Sequence, residues 1–129
     1  MLKQRHYQFE APKIIGIISD KAVPALIQKR LNNHIRRRGI SYVCLPFKVE
    51  PNYLKNVIAC MRLMDIIGLI VVGKHTKLIG RFLPRLDRRA RKRGIVNVVL
   101  RRKNRFIGSF IETKRGSYNT AIDLLTSSL

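Results

Sequence analysis

The sequence contains no tryptophan, only two cysteines and only seven acidic residues, against 27 Lys and Arg. Cys44 and Cys60 are too few for a disulfide framework and lack zinc-ligand spacing, so we expect no metal site and two buried free thiols in a reducing compartment. The shortage of acids leaves a formal net charge of +20. A compact domain with that charge repels itself unless a polyanion neutralises it, so the composition indicates nucleic acid as the partner.

Long apolar runs are also missing. The longest, at 66–72, is far shorter than the ~20 residues that span a bilayer. The N-terminal residues lack the apolar stretch of a secretory signal, so we expect an intracellular protein with no membrane partner. The 129 residues, 46% of them hydrophobic, suffice for one domain with a core.

Hydrophobic periodicity predicts alternating strands and helices. Apolar runs at 14–18, 41–47 and 66–72 are typical of buried strands, and apolar residues at helical spacing after Ser19 and after Pro51 predict helices between them. This order predicts the α/β class: residues 13–129 form a single domain, a mostly parallel twisted sheet with flanking helices, preceded by a polar, basic arm at 1–12. Strands at 95–100 and 106–111 and a helix at 117–125 complete the prediction.

Basic residues concentrate in two later segments. Residues 77–93 are predicted as one helix whose cations share a face, with Asp87 as its single acid, whereas a solvated face normally mixes both signs. Residues 101–105 form the basic tip of a hairpin, expected to join that face in one phosphate-binding surface. The predicted nucleic-acid-binding residues are Arg36, Arg37, Arg38, Lys74, Lys77, Arg81, Arg85, Arg88, Arg89, Arg91, Lys92, Arg93, Arg101, Arg102, Lys103 and Arg105.

Three stretches resemble a known enzyme domain. They are similar to parts of the substrate-binding, N-terminal domain of shikimate dehydrogenase. FKVEP at 47–51 is similar to that family's strand-to-helix step, and GLIVVGKHT at 68–76 to its GxNVTxPxK strand and turn. GIVN at 94–97 with GSFIE at 108–112 is similar to its GAVNT…GxNTD hairpin. The resemblance covers about residues 13–125 and implies a mostly parallel α/β sheet. In that family a Lys–Asp pair moves the proton of the substrate hydroxyl while NADP takes the hydride.

The chain departs from that family at the positions that carry the chemistry. The family's lysine falls on Thr76, which cannot act as an acid–base group near neutral pH, and its aspartate falls on Glu112. At the family's other substrate-binding positions, Ser19 lies near its two serines, and Ile70 and Val72 replace its Asn and Thr. Of these positions only Asn97 carries the family's residue. No GxGxxG motif follows a strand. His75 is expected to be exposed and to carry no chemistry.

These departures and the +20 charge lead to a functional prediction. We expect a catalytically inactive homologue that binds RNA: a ribosomal structural protein of bacterial or organellar type, with ribosomal RNA and neighbouring ribosomal proteins as partners. It would be ribosome-associated in cytoplasm or organelle matrix, with no catalytic residue, no cofactor and no small-molecule substrate. The alternative is the substrate-domain half of a shikimate dehydrogenase-like enzyme that acts with a separate partner chain.

Overall fold

The computed structural model describes residues 11–114 and 117–127, so nearly all of the predicted arm at 1–12 lies outside the described residues. Within this range the strands are β1 (Lys13–Ser19), β2 (Tyr42–Lys48), β3 (Ile66–Val71), β4 (Arg85–Leu86), β5 (Val98–Arg102) and β6 (Arg105–Ser109). The α-helices are α1 (Ala25–Arg38), α2 (Leu54–Met64), α3 (Arg88–Arg93) and α4 (Asn119–Thr126). Short 3₁₀ helices cover Pro51–Tyr53, Gly73–Lys77 and Ile79–Phe82.

The six strands form one sheet in the order β2-β1-β3-β5-β6-β4. β1 pairs in parallel with β2 and β3, and β4 in parallel with β6, whereas β5 runs antiparallel to both of its neighbours. The predicted fold class, a single α/β domain with a mostly parallel sheet and flanking helices, is confirmed.

Two hydrophobic clusters pack on opposite faces of the sheet. One contains buried residues of α1 and α4, among them Leu31 and Ile122, and the other contains those of α2 and α3, among them Met61 and Ala90. β1 and β3 contribute to both clusters, which explains their nearly continuous apolar sequences. Within the described residues, no helix has the length and apolar character needed to cross a membrane.

The predicted single helix at 77–93 is wrong. Gly80 and Pro84 interrupt the segment, and the structure divides it among the 3₁₀ helix Ile79–Phe82, β4 and the short α3. Gly108 of β6 lets Leu83 and Leu86 approach closely: a Cβ there would lie 2.8 and 2.7 Å from their methyl groups. Because this contact between distant segments holds 85–86 extended, the predicted basic stripe is spread over three elements.

Asp87 then starts α3 as its N-cap. Its side chain accepts hydrogen bonds from Ala90 N–H, at 2.8 Å, and from the Ser109 hydroxyl. The one acidic residue of the segment is therefore engaged by the fold.

The hairpin of β5 and β6 turns at Lys103–Asn104, where both residues have positive φ, as in a type I′ turn. Since β6 runs parallel to β3, this turn lies at the amino edge of the sheet, whereas α3 begins at the carboxyl edge. The structure thus places the hairpin tip and α3 at opposite edges, and the expected single surface does not form from them.

The two cysteines differ from the prediction in one respect. Cys44 is buried, and burial raises the pKa of its thiol to about 12. Cys60, on α2, is exposed.

Candidate functional site

A crevice is expected where the direction of the chain's connections across the sheet reverses. The connection through α1 places β2 on one side of β1, and the connection through α2 places β3 on the other. Ligands of open α/β sheets bind outside the carboxyl ends of the strands at such a point. Here Ser19 ends β1 and Asp20 follows it, and Gly73–Lys77 follows β3.

Asp20 joins the two strand ends. Its Oδ1 accepts the Lys74 backbone N–H at 3.3 Å, and it lies over Gly73, where a Cβ would be only 2.4 Å from it. Gly73 has φ +71°, a conformation that favours glycine. Desolvation, the largest single influence, raises the pKa of Asp20, but backbone N–H hydrogen bonds, Lys74 foremost, together with Coulombic interactions with His75 and Lys74 leave the pKa below its ordinary value. The crevice therefore holds an ionised carboxylate.

His75 is fully buried, so its predicted exposure is wrong. Its Nε2 lies 2.6 Å from the Val49 carbonyl oxygen and donates its proton to it, while Val49 N–H donates to Ser19 O at 2.8 Å. The imidazole thus ties the turn after β3 to the residues after β2. No described protein atom partners its Nδ1.

Thr76 occupies the position of the family's lysine. Its hydroxyl donates to Gly73 O at 2.8 Å, and its carbonyl accepts Val96 N–H at 2.8 Å. Thr76 therefore closes its own turn and holds the chain that leads into β5.

Asn97 matches the family's pattern, yet its side chain is engaged by the backbone. Its amide donates to Ile111 O at 2.8 Å and accepts Ile111 N–H at 2.9 Å, and the residue is buried. This pair of bonds holds the segment that carries Glu112.

Glu112 lies beyond the carboxyl end of β6. Its carboxylate pairs with Arg93 at 3.0 Å, and that guanidinium also lies 5.0 Å from the ring centroid of Phe110. Both charged side chains are more than half exposed, so water competes for the pair and a ligand can replace either partner.

The predicted nucleic-acid-binding residues are scattered. In the last turn of α1, Arg36 bonds the Asn33 side chain and Arg38 pairs with Asp123 at 2.9 Å. Arg101, at the amino edge, is half-buried, where it pairs with Asp65 and packs its guanidinium over Phe106. Lys74 and Lys77 lie in the 3₁₀ helix that follows β3, and Arg93, the last residue of α3, pairs with Glu112. The remaining ones, in the last turn of α1, in the segment 81–92 and in the hairpin, are Arg37, Arg81, Arg85, Arg88, Arg89, Arg91, Lys92, Arg102, Lys103 and Arg105.

No family model matches the chain. The chain is 30% identical over 97 residues to shikimate dehydrogenase (NADP(+)) of Trichormus variabilis, and this alignment covers 75% of the chain and 34% of the relative. It is 31% identical over 96 residues to shikimate dehydrogenase (NADP(+)) of Methanococcus maripaludis, and this alignment covers 74% of the chain and 34% of the relative. A solved shikimate dehydrogenase in complex with NADP+ superposes with a TM-score of 0.68 at 29% identity, over 76% of this chain and 34% of that one. Shikimate 5-dehydrogenase of Listeria monocytogenes, solved with shikimate and NAD, gives 0.71 at 28%, with the same coverages.

Over this region the chain is a homologue of shikimate dehydrogenase. It spans about a third of the length of the relatives that it matches, which is consistent with their N-terminal, substrate-binding domain.

This homology corrects the functional prediction. The relatives are enzymes named for shikimate and NADP(+), so the prediction of an RNA-binding ribosomal protein, with ribosomal RNA and ribosomal proteins as partners and no small-molecule substrate, is wrong. The expected association with ribosomes has no support either. The net charge of a chain determines how its surface interacts with ions, but it carries little information about its fold or family.

The sequence analysis missed Asp20 as a site residue. Its position directly after a buried strand could have singled it out, since the carboxyl ends of parallel strands are where ligands bind. Its contact with Gly73 could not be read from the sequence, because 53 positions separate the two residues.

Proposed function

We propose that this chain is the substrate-binding half of a shikimate dehydrogenase-like enzyme. It would bind a small hydroxylated carboxylic acid in the crevice between the carboxyl ends of β1 and β3. The observation that carries the proposal is the homology to shikimate dehydrogenases in sequence and fold over three quarters of the chain.

The side chains at the crevice suit such a ligand. Lys74 and Arg93 supply positive charge for a carboxylate. Asp20, ionised, can accept hydrogen bonds from ligand hydroxyls, and so can Glu112 once a ligand carboxylate takes its place beside Arg93. The Ser19 hydroxyl accepts Lys21 N–H at 3.1 Å and can donate its own proton.

Fewer polar groups are available than the family's motif implies. Ile70 and Val72, in place of the family's Asn and Thr, both pack in or against the core cluster beneath α1. The Asn97 amide is engaged by Ile111. We therefore expect weak binding, with a Kd of about 1 mM, which corresponds to about −4 kcal/mol.

Proton transfer is the step for which this chain is least equipped. The Thr76 hydroxyl titrates far above neutral pH and donates to Gly73 O, so it neither accepts nor supplies a proton at a ligand alcohol. Asp20, with its lowered pKa, is a weak base. We propose that the chain alone does not catalyse hydride transfer.

NADP(+) would supply the hydride acceptor. The 129 residues contain no glycine-rich phosphate loop after a strand, so they do not fit a dinucleotide, and a unit outside them would hold it.

Calorimetric titration tests the proposal. Shikimate should bind about tenfold tighter than cyclohexanecarboxylate, which keeps the carboxylate but lacks the hydroxyls, because one or two additional hydrogen bonds supply about 1–2 kcal/mol. Lys74→Ala should weaken shikimate binding about fivefold or more, and the matched control Lys92→Ala, which removes an exposed cation of α3, should not. Equal affinity for the two acids, or equal loss in the two variants, would show that the +20 charge merely attracts anions.

A further inference from the structure

A cleft of about 260 Å³ lies between α1 and the start of α4, on the face of the sheet opposite to α2. Ile27 and Leu31 of α1 line it with apolar surface, and Tyr118 lines it from the position directly before α4. All three side chains pack in or against the core cluster on that face. None of the residues that line the cleft belongs to the crevice at Asp20. The cleft is therefore a second depression, with an apolar floor.

Two arginines of α1 border the cleft without a carboxylate to neutralise them. Arg30 and Arg37 both line it, as residues seven positions apart on one face of a helix can. Asp123 of α4 pairs instead with Arg38 at 2.9 Å and with His34 at 2.8 Å. Within the described residues, no ion pair uses Arg30 or Arg37, and no acidic side chain lines the cleft. The cleft therefore carries an excess of positive charge.

Two further side chains add hydrogen-bond donors. The side-chain oxygen of Asn33 accepts from Arg36, so its amide NH₂ group is the part that can serve a ligand. The Ser117 hydroxyl oxygen accepts Asn119 N–H at 3.4 Å and can donate its own proton. Together with the two guanidinium groups, these donors suit a ligand rich in acceptor atoms, as oxyanions are.

The size and the floor of the cleft narrow the class of ligand. Pockets for drug-sized ligands measure about 300–1,000 Å³, so a slightly smaller cleft suits a small molecule. A phosphate monoester carries about −1.5 to −2 charge near pH 7 and three acceptor oxygens, which matches two guanidinium groups and nearby donors. An inorganic phosphate ion would leave the apolar surface of Ile27 and Leu31 in contact with water, whereas an ester with an apolar body would cover it.

We propose that this cleft binds a small phosphate monoester, whose phosphate lies between Arg30 and Arg37 and whose apolar body lies on Ile27 and Leu31. The proposal does not depend on the ligand or the activity assigned to the crevice.

Calorimetric titration of the full chain with phenyl phosphate tests the proposal. At about 0.15 M NaCl, which screens the general attraction of the +20 charge, we expect a single molecule to bind per chain. Inorganic phosphate has a similar charge but no apolar body, and it should bind about tenfold more weakly. Benzoate has the ring but only a single negative charge, and it should also bind about tenfold more weakly.

Substitutions on α1 locate the binding site. Arg30→Ala and Arg37→Ala should each weaken the binding of phenyl phosphate about tenfold, because each removes charge-assisted hydrogen bonds. Lys29→Ala is the matched control: it removes the same charge from a neighbouring position outside the cleft and should change the affinity less than about twofold. All three residues are exposed, so the fold should be retained, with an unchanged circular dichroism spectrum as the check.

Amide chemical shifts of a ¹⁵N-labelled chain identify the site independently of affinity. Phenyl phosphate should cause its largest shifts at residues that line the cleft, among them Arg30 and Ser117, while the amides of Asp20 and Lys74 change little. Shifts centred on Asp20 and Lys74, equal affinity for inorganic phosphate or benzoate, or an equal loss in Lys29→Ala would overturn the proposal.

Discussion

Replacing Asn97 by Ala should destabilise the fold strongly, because the side chain bonds both backbone groups of Ile111. The substitution removes hydrogen bonds of 2.8 and 2.9 Å, each worth about 1 kcal/mol net, and leaves the Ile111 N–H and C=O unpaired. Both residues are buried, so the unpaired groups add a penalty, and the total loss is about 3 kcal/mol. At about 3–5 °C per kcal/mol for a chain of this length, Tm should fall by about 10–15 °C.

Urea unfolding followed by circular dichroism measures this loss. The midpoint should fall while the slope of the free energy against urea stays unchanged. Asn52→Ala, at an exposed position in the 3₁₀ helix before α2, is the matched control and should change stability by less than about 0.5 kcal/mol. A loss for Asn97→Ala no larger than that of the control would refute the reasoning, and Asn97 would then be free to serve as a ligand contact.

Three further outcomes follow from the same geometry. Gly73→Ala should cost more stability than Gly94→Ala, although both residues have positive φ, because only at Gly73 does a Cβ meet Asp20; thermal melts that rank the two alike would contradict the close contact. Asp20 has a lowered pKa, so it contributes stability above the ordinary pKa of 3.8, and that contribution is lost as pH falls through the folded value. The stability difference between the parent and Asp20→Asn should therefore be constant near neutral pH and shrink below about pH 4, and a difference that grew on acidification would contradict the sign. At about pH 8, mass spectrometry after iodoacetamide treatment should find Cys60 modified and Cys44 unmodified, since burial raises the pKa of Cys44 to about 12; rapid double modification would show that β2 opens.

Local patterns were sufficient where local chemistry decides the structure. Gly39 ends α1 in the left-handed conformation, Pro51 begins the turn that leads into α2, and the nearly continuous apolar runs form β1 and β3. The prediction failed at 77–93 because helical spacing of arginines says nothing about Leu83 and Leu86, whose contact with Gly108 depends on a strand that comes later in the sequence.

The candidate site was harder to predict for the same reason. The motif positions Thr76, Asn97 and Glu112 were visible from the resemblance. The burial of His75 against Val49 and the position of Asp20 over Gly73 arise only when separate strand ends meet. The charge of +20 misled the functional prediction, because a global count of cations carries little information about the fold or the family of a chain.

Amide chemical-shift mapping with shikimate tests the central claim most directly, because it reports where a ligand binds. In a uniformly ¹⁵N-labelled chain, the largest shifts on adding shikimate should fall on Asp20, Lys74, Thr76 and Glu112, and they should be much smaller with cyclohexanecarboxylate. No shifts at these amides, or shifts centred on α3 and the hairpin tip and equal for both acids, would contradict a substrate site at the carboxyl edge.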